Sequence, residues 1–460
     1  MDRPDAPAIA EEPGARRPIW LLLVAPAAAL AYLPAHAGLE DAGRHALFVL
    51  LLAASLWVSG ALPPFAVSLL VIALQVVLLG DPSGAFAAGD PRRWEMFVAP
   101  WASPVMWLFL AGLTLAAAAA RTGLDRRLAL SVLDLVGHTP RRILFGVMAV
   151  AFVLSMFMSN TAATALMVAI VTPMTRWPGV PPTLGPRLLL GVAAAANLGG
   201  MGTIIGTPPN ALAAAALAPV APVDYLRWLT LGLPPALLLV TLAYAWLARQ
   251  GLDGDALGRL PADDRGDGGA RRQQHLVAAV FVGTLVLWMT ERLHGVPTAV
   301  VAVMPIALLA VTGLVGEREF RGLPWDVLVL VAGGLSLGVG VSETGLGDWL
   351  VGGLAAGLSP IGAAAVLAAI AAALSNVMSN TAAAAIVMPM ALLLGGDTPT
   401  LVAVPVALAT STAMCLPVST PPNALVCTTG LVERRDLLRL GLRVGLVGTP
   451  LVLVWVWMVG

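Results

Sequence analysis

Met158-Ser159-Asn160-Thr161-Ala162-Ala163 recurs letter for letter as Met378-Ser379-Asn380-Thr381-Ala382-Ala383, and Thr207-Pro208-Pro209-Asn210-Ala211-Leu212 recurs as Thr420-Pro421-Pro422-Asn423-Ala424-Leu425. Chance duplication of two polar hexamers in one order is negligible, so the chain contains an internal repeat. Weaker matches extend it upstream. Val105 to Leu128 aligns with Val327 to Leu350, sharing Gly112/Gly334 and the triplets Thr122-Gly123-Leu124 and Thr344-Gly345-Leu346. The aliphatic matches in that stretch carry little weight alone.

The background explains why polar hexamers stand out. Of 460 residues, 58% are hydrophobic and only 11% charged, with a mean hydropathy of +0.88. That excludes a soluble domain and a disordered chain and identifies an integral membrane protein. The 26 basic and 26 acidic residues cancel, which gives no reason to expect a nucleic-acid partner or an acidic solvating tail. Every basic residue is Arg, a bias best read as that of a GC-rich genome. Cys415 and Cys427 are the only cysteines and the five His are dispersed, so neither a disulfide framework nor a zinc site is expected. A polytopic membrane enzyme is the remote alternative, without clustered His, Asp or Cys to support it.

A helix needs about 20 apolar residues to cross the hydrocarbon core. By that ruler the sequence offers eleven candidate spans, near 18–36, 46–62, 64–80, 104–121, 184–218, 226–248, 274–292, 296–315, 326–343, 400–430 and 444–459. Regions 141–174 and 361–394 do not fit as single crossings, because Ser-Asn-Thr interrupts each at its middle. Second arms of about 13 residues reach only about 20 Å, so both regions read as re-entrant helical hairpins. Such backbone is tolerated only where it is buried in protein or lines a cavity. The expected fold is all-α: residues 1–39 as tail and first span, 40–250 as a first repeat, 251–273 as a hydrophilic cytoplasmic linker, and 274–460 as a second repeat.

Each repeat holds five spans plus a hairpin, and an odd number of crossings turns the second copy upside down. Inverted repeats are a signature of secondary transporters, whose site lies near the midplane. With a cytoplasmic N-terminus and an outside C-terminus, only Arg44, Arg92, Arg93, Arg227 and Arg292 fall outside, and the other 21 of 26 fall inside, as the positive-inside rule requires. Trp20, Trp94, Trp101, Trp228 and Trp325 fall at span ends, as interfacial anchors should. Arg16-Arg17, the apolar stretch Ile19 to Leu33 and Ala35-His36-Ala37 resemble a signal peptide, but the stretch is nearly long enough to span and is read as retained.

Ser, Asn and Thr are all good N-caps, so each hairpin tip ends one helix and starts another. In Thr-Pro-Pro-Asn the Thr can cap and Pro can take the first helical position, which breaks the span that contains it. Carbonyls freed at such a break can bind a cation, and exposed N–H groups an anion. No Arg or Lys is available at the midplane. Glu291, Asp326 and Glu343 lie near span ends, so the mid-span acid expected of a proton-coupled carrier is lacking. A hard cation such as Na⁺, held by hydroxyl, amide and carbonyl oxygens, fits better. Polar and small residues also glue membrane helices together, a reading that suits one Ser-Asn-Thr better than a duplicated set beside broken helices. Gly334-Leu335-Ser336-Leu337-Gly338 matches a nucleophile elbow without the strand that motif requires, so close packing is the better reading.

With these motifs the sequence resembles the divalent anion/sodium symporter family, which carries di- and tricarboxylates and, in some branches, sulfate. The resemblance covers about residues 40 to 460 and includes Trp57 and Trp288 near the start of each repeat. It implies a homodimer in the bacterial inner membrane whose hairpins and broken helices move as an elevator, and transport of a C4-dicarboxylate such as succinate, malate or fumarate. It further implies two sodium sites. The first uses Ser155, Ser159, Asn160 and the carbonyl of Gly206; the second uses Ser375, Asn380 and the carbonyls of Met378 and Ser419. Substrate carboxylates meet Asn160, Thr161, Thr207, Ser379, Asn380, Thr381, Thr420 and the backbone around Pro421. The family also contains sodium-independent exchangers with very similar motifs, so symport and exchange stay open at this point, as do citrate and sulfate.

Overall fold

A computed structural model describes residues 21–33, 38–80, 93–137, 139–175, 180–249, 252, 268–354 and 358–460. Arg3, Arg16, Arg17, Trp20, Arg92, Arg176 and residues 251 and 253–267 of the expected linker lie outside these residues, and the last six residues of that linker already belong to a helix that begins at Gly268. The described chain is helical and contains no strand.

The first half runs α1 (Leu21–Ala31), α2 (Asp41–Ser59), α3 (Pro64–Leu78), α4 (Glu95–Val98), α5 (Pro104–Thr122), α6 (Leu124–Val136), α7 (Pro140–Ser155), α8 (Asn160–Met174), α9 (Leu184–Gly199), α10 (Pro208–Leu217) and α11 (Tyr225–Ala248). The second half runs α12 (Gly268–Met289), α13 (Glu291–His294), α14 (Thr298–Val311), α15 (Glu317–Arg321), α16 (Trp325–Glu343), α17 (Leu346–Leu354), α18 (Pro360–Ser375), α19 (Asn380–Gly395), α20 (Thr400–Ser411), α21 (Pro421–Thr428) and α22 (Arg434–Val459). Among the described residues, five helices are long and apolar enough to cross a membrane by length and composition: Asp41–Ser59, Glu95–Thr122 (α4, the turn after it and α5 taken together), Tyr225–Ala248, Trp325–Glu343 and Arg434–Val459. Shorter apolar helices of 10–17 residues, among them α8, α18, α19 and α20, accompany them.

The helix breaks fall where the duplicated hexamers stand. α7 and α8 meet at Ser159, α18 and α19 at Ser379, and the stretches 184–218 and 400–430 each split into two helices ahead of Pro-Pro-Asn. Three elements differ from the sequence expectation. α6 and α17 were not foreseen; both are too short to span, and α6 spaces Leu124, Leu128, Val132 and Val136 along one face while carrying Asp125, Arg126 and Arg127, the pattern of an interfacial helix. The last helix starts at Arg434, not near 444, because hydropathy cannot see a charged first turn as part of a span.

The two halves pack crosswise. Across the halves α16 lies along α3, α14 along α5, α10 on α19 and α21 on α8, while within each half α7 packs on α9 and α18 on α20. Polar and small residues set the closest of these approaches. A β-carbon on Gly333 would overlap Ser68, and Ser336 Oγ donates to the buried Gln75 Oε1 at 2.6 Å. The nucleophile-elbow lookalike is therefore a helix-packing surface.

Candidate functional site

Both hairpin tips use the same cap. Ser159 is extended (φ −59°, ψ 140°) and its hydroxyl accepts the Ala162 N–H at 3.2 Å. Ser379 is extended (φ −65°, ψ 143°) and accepts the Ala382 N–H at the same 3.2 Å. Capping satisfies one free donor of the new helix and leaves its N-terminal dipole aimed at the tip.

Thr207 and Thr420 stand extended before the two Pro-Pro-Asn turns. The asparagines that follow hold the broken backbone together. Asn210 Nδ2 donates to the carbonyls of Gly200 and Thr203, each at 2.8 Å. Asn423 Nδ2 donates to those of Met414 and Leu416, each at 2.9 Å. Behind each break runs the last helix of its repeat at close range. A β-carbon on Gly232 would overlap the Met201 carbonyl, and one on Gly441 would overlap the Met414 carbonyl. Trp228 Nε1 also donates to the Met201 carbonyl at 3.2 Å.

The tips and breaks converge on one cavity of about 280 Å³. All eight residues expected to meet substrate line it: Asn160, Thr161, Thr207, Ser379, Asn380, Thr381, Thr420 and Pro421. Ser159, Gly206 and Ser419 from the expected sodium sets line it too, together with Phe65, Phe109 and Phe157. Ser155 and Ser375 are fully buried behind the tips, and Met378 is buried without lining the cavity. Three contributors were missed from sequence. Asn210 and Asn423 lie inside the duplicated hexamer, so the signal was present; the Thr and Pro of that hexamer received roles and the Asn none. Asn197, fully buried on α9 and lining the cavity, has no duplicate to draw attention to it.

The oxygen sets fit a hard cation. At the first tip Ser155 Oγ lies 2.7 Å from both Asn160 Oδ1 and the Ala196 carbonyl; it has one proton for two acceptors, so oxygen lone pairs remain free. Gly200 packs its bare backbone against them: a β-carbon there would come within 2.8 Å of Asn160 Oδ1 and 3.3 Å of the Gly206 carbonyl, too close for the first. At the second tip Ser375 Oγ and Asn380 Oδ1 are buried without any hydrogen-bond partner, a costly arrangement unless something electropositive answers them. Among the described residues no group of three His, Cys, Asp or Glu could hold a transition metal.

The model of the citrate transporter family matches residues 54–413. The chain belongs to this family. The sodium-dependent dicarboxylate transporter SdcS of Staphylococcus saprophyticus is 29% identical to it, across 91% of this chain and 86% of the relative. Family and relative place the chain among the divalent anion/sodium symporters, as its motifs implied. Two solved structures share the fold. The YdaH transporter of Alcanivorax borkumensis has 16% identity and a TM-score of 0.58 over 86% of this chain and 97% of that one. MtrF of Neisseria gonorrhoeae has 13% identity and a TM-score of 0.53 over 88% and 96%.

Proposed function

We propose that this family member is a Na⁺-coupled symporter of C4-dicarboxylates, working as a homodimer in the bacterial inner membrane with eleven spans, two re-entrant hairpins and inverted repeats. The observation that carries the reading is the single cavity where both Ser-Asn-Thr tips and both Pro-Pro-Asn breaks meet, floored by oxygen sets that suit Na⁺ and containing no Arg. A dianion held there has only helix N-termini, about half a positive charge each, and neutral donors to offset it. Two sodium ions, one beside each tip, offset the two charges of the dianion, and Asp326 adds one acidic side chain to the cavity lining.

Ser159 and Ser379 hold the tips open, Asn160 and Asn380 offer an oxygen to the ion and a nitrogen to the anion, and Thr161, Thr207, Thr381 and Thr420 supply hydroxyl donors. The hairpins and broken helices carry the loaded site across the membrane as an elevator against the remaining helices. Charge offset by the two ions supports that step, since a bare dianion in a low-dielectric passage is prohibitively costly.

The test is uptake of labelled succinate, citrate and sulfate into proteoliposomes with and without an inward Na⁺ gradient. Succinate uptake that requires Na⁺, with a Hill coefficient for Na⁺ above one, is the expected result, and sodium and succinate should raise each other's affinity by one common factor. Full succinate exchange in Na⁺-free choline buffer would overturn coupling and make the protein an exchanger. For topology, cysteines placed in 251–272 should label only from the cytoplasm and one at Asp224 only from outside; labelling of both from one side would overturn the inverted arrangement.

A further inference from the structure

The two threonines that precede Pro-Pro-Asn are identical in sequence and unequal in hydrogen bonding, and the inequality traces to Asn197. Asn423 spends both Nδ2 protons on the carbonyls of Met414 and Leu416. Its Oδ1 is therefore an acceptor, and Asn197, at 3.3 Å from it, must present nitrogen; a flipped amide would set oxygen against oxygen. The same Asn197 Nδ2 donates to Thr420 Oγ1 at 3.1 Å. Thr420 Oγ1 also accepts the Asn423 N–H at 3.4 Å. A hydroxyl oxygen has two lone pairs, and here both are taken. The remaining Thr420 proton has no acceptor among the described residues, and Thr420 lines the cavity.

The first copy lacks this arrangement. The residue in the place of Asn197 is Thr410, whose hydroxyl turns back to the Ala407 carbonyl at 2.7 Å. Thr207 accepts no cap hydrogen bond, and Asn210 Oδ1 is left without a partner. We infer that Asn197 is a positioning residue which, reaching from the first repeat to the second, fixes the Thr420 hydroxyl as an obligatory donor into the cavity. One carboxylate of the substrate is then seated at Thr420, and Thr207 serves as the adaptable end. This rests on the transport reading above.

The experiment is a double-mutant cycle on anion binding, measured by calorimetry on purified full-length protein in saturating Na⁺ with succinate, citrate and sulfate as probes. Asn197→Ala and Thr420→Val should each weaken binding of the anion that wild type prefers by about tenfold, the worth of one hydrogen bond to a charged group. In Thr420→Val the further Asn197→Ala change should add less than about twofold, whereas with Thr207→Val the two losses should multiply, as independent sites do. Asn197→Asp, which keeps the shape but accepts where the amide donates, should weaken binding at least as much as Asn197→Ala. Multiplicative losses with Thr420→Val, or equal coupling to Thr207, would overturn the positioning role while leaving the transport reading intact. Binding of none of the three anions by wild type would overturn both.

Discussion

At the first tip Ser155 shares its one hydroxyl proton between the Asn160 amide oxygen and the Ala196 carbonyl, whereas at the second the buried oxygens of Ser375 and Asn380 have no hydrogen-bond partner. The two tips share their letters, their caps and the glycine that lets a neighbouring helix close on each break. They differ in what surrounds them. Phe157 at the first tip packs edge-on against Phe281 at 5.3 Å, while Val377 at the second is 57% exposed and Val418 beside it 74%. Thr161 is exposed and Thr381 only 7% so. Gly200 packs bare backbone against Asn160, where a β-carbon would come within 2.8 Å of Oδ1; the matching residue in the second copy is Ala413, which has its β-carbon. Met156 follows Ser155, but Asn376 follows Ser375 and uses its amide oxygen to accept the Cys415 N–H at 2.9 Å. Duplicated residues thus set the local geometry, and unduplicated neighbours decide how ready each oxygen set is for a cation.

The largest effects should ignore that difference. Asn160→Ala and Asn380→Ala are each expected to reduce uptake to background while the protein still purifies folded, because the proposed mechanism has each amide serve ion and anion together. Wild-type uptake by either variant would show that one copy is decorative.

Next in size come changes at the shared scaffold. Gly232→Ala and Gly441→Ala force a methyl into the Met201 or Met414 carbonyl, and overpacking of this kind typically costs about 1–3 kcal/mol. Thermal unfolding in detergent should fall by similar amounts in both. A large loss in one and none in the other would mean that the helices behind the breaks are not equivalent.

How far the sequence revealed this follows the same division. The positions of the breaks were legible because Ser-Asn-Thr and Thr-Pro-Pro-Asn cap and break helices by local chemistry, and the eight expected substrate residues do line one cavity. The α6 and α17 helices were not, since neither is long enough to register as a span. Asn197 was invisible as a site residue: its partners, Thr420 and Asn423, lie in the other half of the sequence, and only tertiary packing brings α9 against α21. The unanswered Ser375 and Asn380 oxygens were likewise beyond reach, because the same letters at the first tip have partners.

A third, more selective change separates the two sets. Gly200→Ala should weaken apparent Na⁺ affinity by about tenfold, since a β-carbon 2.8 Å from Asn160 Oδ1 forces aside the amide proposed to hold the ion. Ala413→Gly, the reverse exchange in the second copy, should leave Na⁺ affinity unchanged within about twofold, as its oxygens already stand free. Equal responses measured by Na⁺ titration of uptake would erase the distinction.

The smallest expected effect is the sharpest, because its sign differs between the copies. Ser155 makes hydrogen bonds in the ion-free protein, so Ser155→Ala removes them and strands the Asn160 oxygen, at a cost of about 1–2 kcal/mol. Ser375 makes none, so Ser375→Ala removes a buried polar atom that was already unsatisfied and should leave the ion-free protein as stable as before or slightly more so. In saturating Na⁺ the order reverses for Ser375, whose loss now deprives the ion of a ligand and shrinks the stabilisation that binding confers. Unfolding curves of both variants in choline and in Na⁺ would show it: Ser155→Ala lower than wild type in both, Ser375→Ala lower only in Na⁺. Destabilisation of Ser375→Ala in choline by as much as Ser155→Ala would mean that its hydroxyl is bonded after all and that the two tips are alike.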